Sequence, residues 1–179
     1  MSPSHPHLMH VHLTRDAGHL GNDLHAFLIH APGGVSVHTF EPVHALKESL
    51  QARVLRWRLP NRTVVHGIGL GGSNRTTCFV NLPRKPKSPS SYERPGGEQQ
   101  PCPAPLSTIR DAASVIAGFA PRRISQLQLN CEGCEYEVLP ALLARPSELE
   151  RIDSIEIQVW NVKAGPPFPP KLPMHSSHV

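Results

Sequence analysis

The chain has 179 residues, of which 39% are hydrophobic, enough for one domain with a real core, while its 20 prolines, about twice the average share, mean that much of it is loop. Lys plus Arg (18) exceed Asp plus Glu (14) by a mild, scattered margin and aromatic rings are few, which excludes the dense basic stripe of a nucleic-acid-binding face. No apolar run reaches the roughly 18 residues of a membrane span, and the N-terminal MSPSHPHLMHVHLTRD lacks the apolar core of a signal peptide, so no membrane partner is expected. Cys78, Cys102, Cys131 and Cys134 are too few and too unevenly placed for a secreted disulfide framework, which makes a cytoplasmic protein the expectation.

In chain order, residues 1–7 are read as a disordered N-terminus and 8–162 as one domain. Leu8 to Thr14 alternates weakly and predicts a first strand; His5, His7, His10 and His12 have metal-like spacing but no accompanying Cys or carboxylate, and are read as solvated polarity rather than a metal site. Gly18 and Gly21 then allow a tight turn with backbone close to a ligand, and Asn22 or Asp23 can cap a helix through Leu24, Phe27, Leu28 and Ile29, ended by Pro32-Gly33-Gly34. Val35 to Phe40 predicts a second strand, closed by Glu41-Pro42 and followed by a helix on Val43, Leu46, Leu50 and Val54. Strand, glycine turn, helix, strand, acid is the pattern of a nucleoside-binding α/β unit, in which the acid, here Glu41, accepts hydrogen bonds from ribose hydroxyls. The plainer reading makes the glycines a turn and Glu41 a carboxylate at a helix start.

Thr63 to Ile68 predicts a third strand. Gly67 to Gly72 matches G-x-G-x-x-G literally, but the dinucleotide motif needs a helix to open after the last glycine. Here Ser73 to Val80 reads as a turn and then a strand, so the glycines are expected to form a hairpin turn. Residues 83–105 are proline-rich without an apolar period and read as a flexible insertion. Ser107 or Thr108 is expected to cap a helix carrying Ile109, Ala112, Val115 and Ile116 and ending at Gly118. Ile124 to Leu129 is a strand that breaks at Asn130 into a polar turn, after which Tyr136, Val138, Leu139, Leu142 and Leu143 recur at helical spacing. Asn130 and Glu132 therefore stand at a strand's carboxyl end, where open α/β sheets bind ligands, while Glu132 and Glu135 also suit the positive end of the helix. Leu149 to Trp160 predicts a further strand, and 163–179 a disordered tail.

Four pieces in this order, Asp16-x-Gly18-x-x-Gly21, Phe40-Glu41-Pro42, the block Leu129 to Leu139 (LNCEGCEYEVL) and Ile155-Glu156-Ile157, together resemble the FkbM-type family of S-adenosylmethionine-dependent methyltransferases. The resemblance implies an α/β fold, a Rossmann-like class I methyltransferase sheet with helices on both faces, here ending at the fifth strand. It also implies S-adenosylmethionine as cofactor and a small-molecule hydroxyl substrate such as a sugar. By position, Gly18 and Gly21 would border the methionine part of the cofactor, Asp16 would hold its amino group, Glu41 its ribose, and Gly69 and Leu70 would lie near its adenine. Glu132 would serve as base, with Asn130 orienting it. The chain departs from the family in a shorter glycine turn and in carrying Gln128 and Asn130 where Lys and Asp are usual. A catalytically silent protein of the same fold, and a dinucleotide-dependent oxidoreductase using Gly67 to Gly72, are the alternatives. Cys131-Glu132-Gly133-Cys134 has the spacing of a redox couple or half a zinc site, but small residues occupy both positions in the family, so two small buried thiols are the expectation.

Overall fold

The computed structural model describes residues 12–13, 22–30, 35–58, 60–81, 91–93, 102, 105–131 and 133–157. The expected terminal segments, 1–7 and 163–179, lie outside them, as does most of 83–105. The fold is mixed α/β, with small parallel sheets and helices.

Strands β1 (His12–Leu13), β2 (Val37–Phe40) and β3 (Thr63–His66) form a parallel sheet in the order β1-β2-β3. Parallel neighbours require crossovers. Helices α1 (Asn22–His30) and α2 (His44–Arg56) supply them. Their apolar positions fall on one face by helical period. Leu24 and Leu28 of α1 and Leu50 and Val54 of α2 are buried with Val35 and Val37 in one cluster, where each large side chain contributes roughly 1.5–3 kcal/mol by leaving water. Arg62 fastens this layer, its Nε donating to the Val35 carbonyl (3.2 Å) and its Nη1 to that of Leu28 (3.3 Å). Val43, the residue before α2, has no side chain able to cap. The Glu41 carboxylate takes that role by accepting the Val43 N–H (2.8 Å).

The chain continues through β4 (Gly69–Gly71), β5 (Arg75–Thr77), β6 (Phe79–Asn81), β7 (Ser91–Glu93) and β8 (Ser107–Asp111). Two expectations change here. Gly67 to Gly72 does not make a hairpin: β8 lies between β4 and β5, parallel to the first and antiparallel to the second. Residues 107–111 are this central strand rather than a helix, because Ser107, Ile109 and Asp111 alternate inward in step with the pleat. The helix α3 (Ala112–Ala117) begins only where the Asp111 carboxylate accepts the Ser114 N–H (2.8 Å). The proline-rich insertion also carries regular structure, since β7 pairs antiparallel with β6, and a disulfide ties Cys102 near its end to Cys78 before its start.

The last unit runs β9 (Leu127–Leu129), α4 (Glu135–Leu143), α5 (Pro146–Leu149) and β10 (Ile155–Ile157), with β10 parallel to β9. The predicted strand at 149–160 is thus shorter: Leu149 ends a helix, Ile152 makes a single bridge to Ile124, and 158–160 lie outside the described residues. Leu127, Leu129, Val138 and Leu142 are buried with Ala112, Ala113 and Ile116 of α3, and Phe40 of β2 and Leu70 of β4 join the same cluster. Strand β1 lies against both β2 and β9.

Candidate functional site

The carboxyl ends of β2, β3 and β9 hold the candidate residues. Phe40 is the last residue of β2 and Leu129 the last of β9, and both belong to one hydrophobic cluster, so Glu41 and Asn130 each follow a strand end anchored in the same core. The Glu41 N–H donates to the His66 carbonyl (3.0 Å), extending the β2–β3 ladder to the acid itself. Glu41 is fully buried, with its Oε1 engaged by Val43. It therefore combines the two roles its position suggested, an acid at a strand end and a helix-start carboxylate. Asn130 is partly buried. Asp16, Gly18, Gly21 and Glu132 lie outside the described residues.

Beside Glu41, three rings stack. His66 lies 4.5 Å from Phe40 between ring centres and nearly parallel to it (11°), and 5.2 Å from His38. His38 Nδ1 and His66 Nε2 are 2.9 Å apart, one donating and the other accepting. Burial pushes the His66 pKa below its ordinary value. Neither histidine was singled out from the sequence; only their recurrence on β2 and β3 could have marked them.

The glycine run is explained by packing. A Cβ on Gly69 would fall 2.6 Å from Ile109 Cδ1 and 3.2 Å from Pro42, and one on Gly71 would fall 2.8 Å from both Ile109 Cγ2 and Glu137 Oε2. The space beside these glycines is filled by the protein's own side chains. Leu70 is 3% exposed and belongs to the core. The Glu137 carboxylate lies across this run, accepting from Arg75 Nη1 (2.7 Å), Arg75 Nη2 (2.9 Å) and the Gly72 N–H (3.0 Å), which ties the glycine turn to α4. With β5 rather than a helix following Gly72, and no room beside Gly69 and Gly71, the run does not form the pyrophosphate cradle a dinucleotide needs.

Past Asn130, the expectation of free thiols fails. Cys131 and Cys134 form a disulfide, so all four cysteines are paired and the cysteine argument for a reducing compartment falls away. Gly133, inside this four-residue ring, has φ +129°, a conformation that favours glycine. Its N–H donates to Glu135 Oε2 (2.8 Å), and the same oxygen lies 3.3 Å from Cys131 Sγ. Glu135, noted in the sequence only as a helix-start acid, is 8% exposed. The two sulfurs and a Glu135 oxygen lie within 4.8 Å of one another, but bonded sulfurs offer a metal no thiolate. No helix among the described residues is long and apolar enough to cross a membrane.

No protein-family profile matches the chain, and no curated protein matches it. Among solved structures it is similar to Methyltransferase FkbM from Methylobacillus flagellatus KT, with 20% sequence identity and a TM-score of 0.46. The match covers 81% of this chain and 31% of that one.

Proposed function

We propose that this chain is an S-adenosylmethionine-dependent methyltransferase acting on a hydroxyl oxygen of a sugar or small hydroxylated metabolite. One observation carries the reading: Glu41 and Asn130 follow the ends of two parallel-paired strands whose last residues share one core cluster, with β1 against both strands. Read as one layer, the parallel sheet β3-β2-β1 and the parallel pair β9-β10, which meet through β1 and β9, would follow the winding of a doubly wound sheet, whose ligand crevice opens where the winding reverses. The LNCEGCEYEVL block begins at the last residue of β9 and Phe40-Glu41-Pro42 closes β2, and both resemble the FkbM-type pattern.

A buried acid at the end of β2 fits a ribose, because a carboxylate accepts several hydrogen bonds at once and can cap α2 while holding hydroxyls. Asp16, Gly18 and Gly21 are assigned to the amino-acid end of the donor, while Gly69 and Leu70, closed over by the protein's own side chains, would back the side of its adenine without touching it. When bound, the donor supplies an electrophilic methyl on a sulfonium. The chain's own part is to align the acceptor hydroxyl with that methyl and to exclude water, and positioning of this kind accounts for much of the acceleration of a displacement. Glu132 accepts the hydroxyl proton as the bond forms, and Asn130 orients the acceptor or the base.

Calorimetry with S-adenosylmethionine and with its demethylated product tests the reading. Micromolar binding is expected, weakened at least about tenfold in Glu41→Gln, with circular dichroism showing that the variant remains folded. Absence of heat with either compound overturns the reading. One feature favours a second reading, a donor-binding protein that moves no methyl: Gln128, nearly buried, and Asn130 leave no charge where the family carries Lys and Asp. Labelled donor that binds but never transfers to hydroxylated acceptors selects it.

A further inference from the structure

We propose that the Cys131–Cys134 pair is a reversible thiol–disulfide exchange site, open to a low-molecular-weight thiol, with Glu135 as the group that receives the thiol proton of the reduced form. The inference stands on the disulfide and its surroundings and is independent of methyl transfer. Three observations carry it. The two cysteines are bonded across a ring of only four residues at the start of α4, and both retain part of their surface in solvent. Glu135 is 8% exposed, yet its Oε2 faces Cys131 Sγ at 3.3 Å, hydrogen-bond range for a thiol. A disulfide sulfur has no proton to donate, so in the oxidised form this buried oxygen faces a sulfur that gives it nothing, and reduction supplies the S–H. Gly133 holds the same oxygen through its N–H at 2.8 Å, so the acceptor is already in place before the proton arrives.

The exchange balances with two equivalents of thiol. The first, as thiolate, attacks one sulfur of the pair; the Cys131–Cys134 bond breaks and its electron pair leaves on the other cysteine. The second attacks the mixed disulfide, releasing the small-molecule disulfide and leaving the electron pair on the first cysteine. The two protons of the reductant end on the two cysteine sulfurs, that of Cys131 directed at Glu135. A negative sulfur at Cys134 is favoured during the exchange by the positive end of α4.

Cys78–Cys102 is the internal control. It spans a sequence separation of 24, and neither of its cysteines stands at a helix start: Cys78 lies between β5 and β6, and Cys102 lies outside the helices. The experiment equilibrates native protein in glutathione buffers of graded reducing strength, quenches with acid, alkylates, and maps both pairs by mass spectrometry, with circular dichroism recorded in parallel. Cys131–Cys134 is expected to open and to close again on return to oxidising buffer, over a range in which Cys78–Cys102 stays closed and the chain stays folded. Glu135→Gln is expected to need roughly fivefold stronger reducing buffer, the worth of one weakened hydrogen bond. Opening of both pairs together, opening only as the chain unfolds, or an unmoved midpoint in folded Glu135→Gln overturns the proposal. The titration of the unsubstituted protein is decisive by itself if the variant does not fold.

Discussion

At the scale of single residues, three positions carry more consequence than their exposure suggests. Thr63 opens β3 with its hydroxyl buried, and Oγ1 has no hydrogen-bond partner among the described residues. A buried donor left unmade is costly, whereas an apolar isostere is not. Thr63→Val is therefore expected to stabilise the fold by about 1 kcal/mol, read as a higher urea midpoint with unchanged slope. Gly133 makes the opposite case. Nothing lies within 4 Å of a Cβ built there, so Gly133→Ala meets no clash, yet φ +129° is one that an L side chain rarely adopts. A loss of about 1–3 kcal/mol from backbone strain alone is expected in the same assay. The Glu41 carboxylate holds the start of α2 at the end of β2, the place to which we assign the proposed ribose contact. Its position after Phe40 was legible from the sequence; its complete burial was not, since that depends on every element packed around it.

Among the elements, β8 and α3 show how tertiary pairing overrides local preference. Ile109, Ala112, Val115 and Ile116 have helical spacing, and taken alone they argue for one helix from Ser107. Pairing of β8 with β4 and β5 on both sides satisfies its backbone as a strand, and the chain turns helical only at Asp111. That residue caps α3 through the Ser114 N–H (2.8 Å) and accepts from Ser114 Oγ (2.6 Å) and Arg145 Nη1 (2.8 Å), while its own N–H reaches Asn74 Oδ1 (3.0 Å). Asp111→Ala removes the cap. Arg145 is 49% exposed and keeps its hydration, so the loss is that of a cap, about 1–2 kcal/mol, and not that of a stranded buried charge. Chemical denaturation measures it, and a loss well above that range would show that Arg145 depends on its partner. The glycine run of β4 teaches the same lesson: its spacing is local, but what fills the space beside it comes from Pro42, Ile109, Arg75 and Glu137, all distant or on other elements.

For the whole molecule, acid is the expected weakness. The neutral form of His66 is favoured in the fold by burial, so the unfolded chain protonates first as pH falls below about 6.5. Its contribution is complete above that pH and is lost as the pH falls toward the lowered value. Burial pushes the Asp111 carboxyl up, but its bonds from the Ser114 hydroxyl and amide and the Arg145 guanidinium outweigh this and hold it below the ordinary carboxylate value. Its contribution is likewise complete above about 3.9 and is lost at still lower pH. Stability should thus fall in two stages on acidification, first below pH 6.5 and again below pH 4. Denaturant midpoints measured across pH 7 to 3 check this, and His66→Phe should flatten the first stage while leaving the second.

The sequence by itself determined the order of helix and strand from α1 to β3 and from β9 to α4, the inward positions Leu24, Leu28, Leu50, Val54, Val138 and Leu142, the strand ends at Glu41 and Asn130, and that no helix opens after Gly67 to Gly72. These rest on periodicity, turn residues and caps, which act within a few residues of one another. Only the tertiary structure decided that β8 is a strand inside a sheet, that Gly69 and Gly71 are closed over by neighbouring side chains, that His38 and His66 meet, and that the four cysteines pair. Each of these depends on groups far apart in the chain or on the exact course of a turn, and no local preference specifies which partner a buried group will find.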